Sequence, residues 1–578
     1  MRAFAAVLIG AVTAVVAGIA FAFAGGGLLA ITAWLALAIG AGVGALAFRQ
    51  TTPVSARFHP VEWALFGAFA LAGFRAFFWL LYTRGNNLTV LSPNNLGDLA
   101  LHLNFIRNFA SDVPFWPENP IFAGEPLRYP IGADFFNSLL LAVGVPVEQG
   151  LIWVGVGGCV LTAAALWKWG RGFAIAVFLF GGGLAGFVAL RSLVESGSLP
   201  IDDYQARMAW KNLFLALFVT QRGLLFALPI GLLLLDDWRS RFLRDERPFL
   251  PWWAALLLYA SLPLFSLHSF LCLSAVLVGV FAFASSRTTR IGCIRFGCAA
   301  LLPATLCVAL VTGGFGTTGG IHWHPGWLQD ETPAGENPSH PAWFWLNNFG
   351  LYLVLWAGLA VWTVFRGGRE TRAFVLPATL LFVACTLWSF AKWPWDNTKI
   401  LIWAWLAVAP ALWSNVLRPM PFPSRAIVCF VLFFTGAISL VGGLDKRHGY
   451  DLAKRSVVDA TEGGIATLDP SATFACAPEY SHPLVLLGRK IAVGYEGHLW
   501  SHGIDYADAM TQLERLMLGG PRWKESAQAL GVDYLYWGRP ERQRYPTSSR
   551  SWRSLPVAAR GEGFIIYDLR DLPDSSIR

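Results

Sequence analysis

The feature that most constrains this chain is a series of apolar runs that recurs through its first three quarters. A helix needs roughly 20 residues to cross the hydrocarbon core of a bilayer. With 55% hydrophobic and 14% charged residues, a 578-residue chain is not one soluble globule. The pattern predicts an all-α polytopic membrane domain with about thirteen spans. The predicted spans are 3–24, 27–47, 62–82, 148–167, 172–190, 211–236, 251–266, 269–286, 296–313, 343–365, 373–390, 398–417 and 424–443.

The first run, MRAFAAVLIGAVTAVVAGIAFAFAGGG, shares features with a secretory signal peptide, because Arg2 precedes an apolar core that ends in small residues. Its core is longer than that of a typical signal peptide, and a second apolar run follows at once. We therefore expect an uncleaved first span.

Cationic residues fall in alternate short loops, which accounts for the formal charge of +8 without a nucleic-acid partner. Cytoplasmic loops carry an excess of Lys and Arg, so this alternation predicts an amino terminus inside and a carboxyl terminus outside. The apolar run 131–145 would invert every later loop if it crossed, and we expect a short re-entrant or surface-lying helix there. The clusters are Arg49 with Arg57, Lys168 with Arg171, Arg239 to Arg247, Arg287 to Arg295, Arg366 to Arg372, and Arg418 with Arg425.

The polar segment 444–578 predicts a small extracytoplasmic α/β domain that follows the transmembrane domain 1–443. Short apolar segments such as VDYLYWG alternate there with helical stretches. His498 and His502 are four residues apart, but the Trp between them and the Gly that follows predict a loop rather than a metal-binding helix. The eight scattered cysteines indicate neither a disulfide framework nor a Cys-rich metal site.

The stretch NNLGDLALHLNFIRNFA, 94 to 110, places Asp98 and His102 at i and i+4, on one face of a helix. Leu99, Leu103 and Ile106 form an apolar side that we expect to lie on the bilayer. A simpler alternative is that Asp98 only favours the positive end of the helix dipole and that His102 is exposed to water.

The long outward loop 83–147 continues with Pro-rich turns, aromatic residues and several carboxylates. A long loop of this composition is more often functional than connective. Within it, the run LRYPIGADF contains Arg128, Tyr129 and Asp134.

Other candidates lie at the outer ends of predicted spans. Gln221 and Arg222 interrupt an apolar stretch, where a charge is costly unless it is partnered, and snorkelling to the interface is the alternative for Arg222. The segment AKWPWDNTKILIW contains Trp395, Asp396, Asn397 and Lys399, for which an aromatic belt and a helix-start ion pair are the alternative explanation.

Histidines supply the last candidates. His268 follows the tight turn in SLPLFSLHSFLCL and is a candidate for donor binding, although a lone histidine is more often a simple interfacial residue. His322 and His324 would share one face of a strand, but no third metal ligand lies nearby in the sequence.

These features together resemble the C-type (GT-C) superfamily of integral-membrane glycosyltransferases. The shared features are an acidic residue in the first long outward loop, two surface helices, the YP-x-G turn at Tyr129 and an outward soluble tail. The resemblance implies a sugar donor carried on a polyprenyl phosphate and a catalytic carboxylate in that loop, here Asp98. Many members have two adjacent acidic residues at this point, whereas Gly97 and Leu99 flank Asp98. Whether a second carboxylate, Asp134 or Asp112, contributes with Asp98 stays open.

Inverting transfer of a hexose or pentose from a lipid phosphate needs a base, cations for the departing phosphate and surfaces for the sugar. We expect Asp98 to be the base, with His102 beside it. The acceptor would be a glycan, a lipid or a protein, met at the outer face of a bacterial-type cytoplasmic membrane. The expected donor- and acceptor-binding residues are Arg128, Tyr129, Asp134, Gln221, Arg222, His268, Trp395, Asp396, Asn397 and Lys399.

A divalent metal is left open, because the spacing of the carboxylates does not define a coordination shell. The alternative function is a transporter or flippase of lipid-linked glycans. Such a protein would also need cationic and aromatic residues, but it would not need the carboxylate of the first loop. The paired broken helices of inverted transporter repeats are not evident in the sequence.

Overall fold

A computed structural model describes residues 1–54, 57–92, 95–184, 186–197, 212–316, 320–325, 341–445 and 449–572. These residues form a helical membrane domain and a smaller C-terminal domain of helices and strands, which confirms the predicted fold class. The helices up to residue 443 are α1 (Arg2–Gly25), α2 (Ala30–Gln50), α3 (Pro60–Phe78), α4 (Asn95–Phe109), α5 (Gly132–Ala142), α6 (Val147–Phe180), α7 (Gly186–Ser196), α8 (Leu224–Trp238), α9 (Trp252–Phe265), α10 (Leu267–Ala282), α11 (Arg287–Val311), α12 (Pro341–Arg366), α13 (Arg369–Leu387), α14 (Thr398–Leu412) and α15 (Phe422–Gly443).

Each predicted span overlaps one of these helices, but the correspondence is not one to one. The predicted span 148–167 and most of 172–190 fall on α6, in which two helices meet at a bend where Gly170 and Arg171 leave the helical region. Within the described ranges, nine helices are long and apolar enough to cross a membrane, and α9 and α10 are shorter apolar helices.

The cationic loops gather at one end of the helical domain, as their alternation predicted. Hydrogen bonds and ion pairs join the loops that follow α2, α8, α10 and α12 and the bend in α6. These contacts are Thr52 N to Phe249 O (3.0 Å), Arg171 to Glu62 (3.0 Å), Arg244 to Glu370 (2.7 Å) and Arg369 to Ser285 O (2.7 Å). Helix α3 runs from this end to the opposite one, where the loop 83–147 lies.

The C-terminal domain is joined to the loop 83–147 by a sheet. Strands β1 (Tyr82–Arg84) and β2 (Asn87–Val90) form an antiparallel sheet with β5 (Tyr450–Lys454). A strand of the tail therefore completes a structure that begins in the loop, across the predicted boundary at 443/444. A second pair, β3 (His322–Trp323) and β4 (Trp388–Ser389), is also antiparallel.

The tail itself has a five-stranded sheet in the order β7 (Lys490–Ile491), β6 (Thr473–Ala475), β8 (Tyr534–Trp537), β10 (Phe564–Asp568), β9 (Val557–Gly561). Strand β6 is parallel to its two neighbours, and β10 is antiparallel to β8 and β9. All four residues of β8 are buried, as expected of a central strand covered on both faces. Its helices are α16 (Arg455–Ile465), α17 (Pro483–Leu486), α18 (Glu496–Ser501), α19 (Ala507–Leu518), α20 (Trp523–Ala529) and α21 (Arg539–Arg544).

Helix α4 does not lie on the bilayer. Leu99, Leu103 and Ile106 are only 2%, 4% and 0% exposed, because they pack inside the protein. On α4, Asn104 donates to the Val485 carbonyl of the tail (3.0 Å) and Asn108 donates to the Gly488 carbonyl (3.0 Å). The predicted surface position is wrong because the tail and the membrane helices enclose α4, which the sequence periodicity alone does not reveal.

Helix α5 has 11 residues, so it is about 16 Å long and too short to cross a bilayer. It packs against α1, where a Cβ on Gly18 would lie 2.9 Å from Leu139 Cδ2. Ser138 Oγ donates to the Ile106 carbonyl of α4 (3.0 Å). The run 131–145 therefore does not span, in agreement with the topology derived from the cationic loops.

Candidate active site

A cavity of about 670 Å³ lies at the end of the helical domain opposite the cationic loops. Its walls come from the beginnings of α8, α10 and α14, the end of α11, the loop before α5, and the tail. It brings together six of the residues singled out in the sequence. These are Arg128, Tyr129, Gln221, His268, Asp396 and Lys399.

Asp98 lies in the first turn of α4, half-buried beside this cavity. Gln221, which lines the cavity, donates from Nε2 to Asp98 Oδ2 (3.1 Å). Burial raises the pKa of the Asp98 carboxyl above its ordinary range, and the positive charge of Lys399 opposes this shift. A carboxylate with a raised pKa is a stronger proton acceptor than an exposed one.

His102 and Asp134 form a buried pair between α4 and α5. His102 Nδ1 lies 2.8 Å from Asp134 Oδ2 and 2.9 Å from Oδ1. The alternative that His102 is exposed to water is therefore wrong. Asp134 faces His102 and does not line the cavity, so the structure gives it a partner other than the substrate.

Lys399 and Arg128 both reach the cavity wall, and each is paired with a carboxylate. Lys399 Nζ lies 3.0 Å from Asp396 Oδ1, which is the ion pair expected at a helix start. Arg128 pairs with Glu125 (3.2 Å), and within the described part of the chain its Nε has no hydrogen-bond partner. First-turn residues of α8, α10 and α14 also line the cavity, and helix amino termini carry partial positive charge. The wall therefore offers several donors to an anionic group.

Tyr129 connects the first loop to the tail across the cavity. Its ring centroid lies 6.0 Å from that of His102 and 5.4 Å from that of His502. Burial and the surrounding carboxylates raise the pKa of Tyr129, so its hydroxyl stays protonated.

Besides Asp134, three predicted binding residues do not line the cavity. Arg222 is 2% exposed, donates to the Leu151 carbonyl (3.4 Å) and lies over the ring of Phe77, so it does not snorkel to the interface. The side-chain amide of Asn397 is used within the protein. It forms hydrogen bonds with the backbone of Cys385, Trp388 and Phe390 and so shapes the turn before α14. Trp395 packs against the hydrophobic core.

Asp112, the other carboxylate considered as a partner for Asp98, lies beside Gly27 near the start of α2. Of the loop carboxylates named in the sequence, Asp98 is thus the one held beside the cavity by Gln221. The structure favours a single carboxylate at this position.

The tail contributes residues that sequence reasoning did not place at the site. Ser501 and His502 line the cavity, and His498 lies against Gly97. The four-residue spacing of the two histidines could have indicated that both face the same site. The segment that carries them is the short helix α18 and not the predicted loop. Burial lowers the pKa of His498 to about 3 and that of His502 to about 4, so both are neutral at neutral pH.

A divalent metal site would need several ligating side chains that lie close together. Within the ranges that the structure describes, no group of three or more His, Cys, Asp and Glu side chains could hold a metal ion. His322 and His324 face each other with ring centroids 5.8 Å apart, and Asp134 and Asp396 are paired with His102 and Lys399. The described residues therefore supply no set of three or more protein ligands for a metal ion.

Comparison with known proteins gives matches among solved structures and none from the sequence alone. No family model and no curated protein matches this sequence. Among solved structures, the chain matches an oligosaccharyltransferase from Archaeoglobus fulgidus, described as tethered by a disulfide to an acceptor peptide that contains the NVT sequon. The match covers 82% of this chain and 69% of that chain, with 11% sequence identity and a TM-score of 0.40. The function of this chain therefore rests on the residues of its own cavity.

Proposed function

We propose that this protein is a GT-C-type membrane glycosyltransferase that transfers a sugar from a polyprenyl-phosphate donor to an acceptor at the extracytoplasmic face. The observation that carries the proposal is Asp98, a half-buried carboxylate held by Gln221 beside a cavity that both the membrane helices and the tail line. A base at this junction can reach a donor that arrives on a lipid and an acceptor that arrives from outside.

Asp98 acts as the general base. The acceptor oxygen or nitrogen attacks the anomeric carbon, its proton passes to the Asp98 carboxylate, and the bond between that carbon and the phosphate oxygen breaks. Attack from the face opposite the phosphate inverts the anomeric carbon. Gln221 orients the carboxylate, while His102, one turn further along α4, is held in place by Asp134.

The cations and helix beginnings of the cavity wall receive the phosphate. Lys399, Arg128 and the beginnings of three helices face the cavity and would stabilise the negative charge that grows on the leaving group. Asp396 holds the Lys399 ammonium at the wall.

The tail forms the acceptor side. Ser501 and His502 face the cavity from the domain that lies outside the membrane, and Tyr129 stands between them and His102. A neutral His502 can donate or accept a hydrogen bond, which suits a polar acceptor. A glycan, a lipid headgroup or a protein side chain would each satisfy this chemistry.

The test is a reconstituted transfer assay with a panel of polyprenyl-phosphate hexoses and pentoses. Asp98→Asn keeps the size of the side chain and removes the proton acceptor, so transfer should fall roughly 10²- to 10⁴-fold. Asp112→Asn is the matched control, because it makes the same change in the same loop away from the cavity. Parental transfer by Asp98→Asn would reject Asp98 as the base.

The same vesicles test the transporter or flippase. A transporter would move a labelled lipid-linked glycan between leaflets without forming a glycosidic bond, and Asp98→Asn would leave that movement unchanged. Movement without transfer would replace the glycosyltransferase with this alternative.

A further inference from the structure

A second cavity, of about 410 Å³, lies at the cationic end of the helical domain, away from the candidate active site. It is bounded by α1, α3, α6 and the segment 51–59 that leads into α3. We call it the α3–α6 cavity. Its walls are apolar, and six aromatic rings contribute to them. These rings are Phe4, Phe58, Trp63, Phe66, Phe69 and Trp167.

The α3–α6 cavity opens to the lipid-facing surface. Trp63 and Val160 line it and are also 61% and 45% exposed, whereas Phe69 and Cys159 are buried and form its floor. Along α3 the lining extends from Trp63 to Ala70, a rise of about 10 Å. An elongated apolar cavity that is open to the bilayer fits a hydrocarbon chain.

Arginine residues surround the outer rim of this cavity. The guanidinium carbon of Arg171 lies 4.0 Å from the ring centroid of Trp167, and its Nη2 donates to the Arg57 carbonyl (2.9 Å). Arg2 begins α1, whose first turn also lines the cavity. Arg171 pairs with Glu62 (3.0 Å), but neither Arg2 nor Arg57 forms an ion pair among the described residues. The rim therefore has an excess of positive charge.

The backbone of Arg171 is strained. Its φ of 58° and ψ of −155° lie in a region that is essentially restricted to glycine, although Gly170 and Gly172 are its neighbours in the chain. Strain of this kind persists where surrounding contacts hold the residue in place, and it is concentrated at active sites and ligand clamps. Here the contacts with Arg57 and Glu62 hold the Arg171 guanidinium at the rim.

We propose that the α3–α6 cavity binds one chain of an anionic phospholipid from the leaflet at the cationic end, with the lipid phosphate at Arg171 and Arg57. Guanidinium groups form charge-assisted hydrogen bonds with phosphate, and basic pockets between membrane helices bind anionic headgroups. The inference does not depend on the proposed function, because the two cavities share no lining residue.

The headgroup part of the proposal is tested on the full-length protein by native mass spectrometry. Phosphatidylglycerol and phosphatidylcholine with the same chains are the probes, because the ammonium group of phosphatidylcholine cancels the charge of its phosphate. The parental protein should bind phosphatidylglycerol about tenfold more tightly or better, and Arg171→Gln should remove most of this preference. Arg295→Gln is the control, because it makes the same change at an exposed position of α11. If Arg171→Gln loses its thermal transition, Arg57→Gln removes a cation from an exposed position.

The chain part is tested with a pair of substitutions on α3. Ala70 lines the cavity, so Ala70→Trp should weaken both phospholipids by about tenfold or more. Ala64→Trp adds the same bulk at an exposed position that does not line the cavity, and it should leave binding within about twofold.

Equal binding of the two phospholipids by the parental protein would overturn the anionic headgroup, as would an equal loss of preference in Arg171→Gln and Arg295→Gln. Unchanged binding in Ala70→Trp would overturn the cavity as the site of the chain. A polyprenyl phosphate that displaces phosphatidylglycerol at lower concentration would replace the phospholipid as the occupant.

Discussion

His498 of the C-terminal domain lies directly against Gly97, the residue before Asp98. A Cβ at position 97 would be 3.1 Å from His498 Nε2, which is tighter than an ordinary contact. A second acidic residue next to Asp98 would meet this histidine. The contact therefore leaves little room for a side chain at position 97 and ties the position of the tail to the turn that carries the proposed base.

This contact predicts a compensating pair of substitutions. Gly97→Leu should lower transfer by about tenfold or more, although leucine favours helix over glycine by nearly 1 kcal/mol. His498→Ala should restore much of the loss in the double variant, because it opens the space that leucine needs. A double-mutant cycle on transfer rate measures the coupling. Additive effects would show that the two residues act separately.

The raised pKa of Asp98 predicts how transfer depends on pH. The base must be ionised, so kcat/KM should fall as pH decreases through a pKa that lies above the ordinary value of about 3.9. Lys399 lowers this pKa, and Lys399→Gln should therefore move the acid limb to higher pH. Lys524→Gln, at an exposed position of the tail, should leave the limb in place. A limb that moves to lower pH in Lys399→Gln would contradict this electrostatic assignment.

For the buried pair of His102 and Asp134, we expect that substitutions can restore stability without restoring activity. Removing one member leaves the other without its partner, so His102→Leu alone should lower the free energy of unfolding by about 3–5 kcal/mol. The double variant His102→Leu with Asp134→Leu should recover stability, because apolar replacements of a buried pair are often tolerated. Its transfer should stay low. Thermal melts and transfer kinetics are measured on the same preparations. If the double variant recovers both stability and transfer, the pair has only a structural role.

Lys399 and Arg222 should behave differently, although the sequence grouped them as phosphate partners. Lys399→Ala should raise KM for the lipid donor by roughly tenfold, because a charge-assisted contact is lost. Arg222→Met should leave that KM within about twofold, since Arg222 is buried against Leu151 and Phe77 outside the cavity. Equal increases in both variants would return Arg222 to the donor site.

The topology predicts opposite labelling of the two ends. In a cysteine-free background, Ser549→Cys on the tail should react with an impermeant thiol reagent in intact cells. Glu246→Cys, in the cationic loop after α8, should react only after permeabilisation. The reverse pattern would invert the orientation.

Local patterns in the sequence were sufficient for the architecture. Apolar runs of spanning length located the membrane helices, and alternating cationic loops predicted the end at which Arg171, Arg244 and Arg369 meet their partners. Helical spacing put Asp98 and His102 on the same helix. These properties depend on neighbours within a few turns, so they can be read without knowing the fold.

Tertiary structure decided which polar groups meet. It enclosed the apolar side of α4, gave Asp134 to His102, placed Arg222 outside the cavity and brought His498 and His502 to the proposed base. Each outcome depends on packing between segments far apart in the chain, up to about 400 residues for His498 and Gly97. No local period encodes such a contact, because it arises from the docking of a whole domain onto one helix.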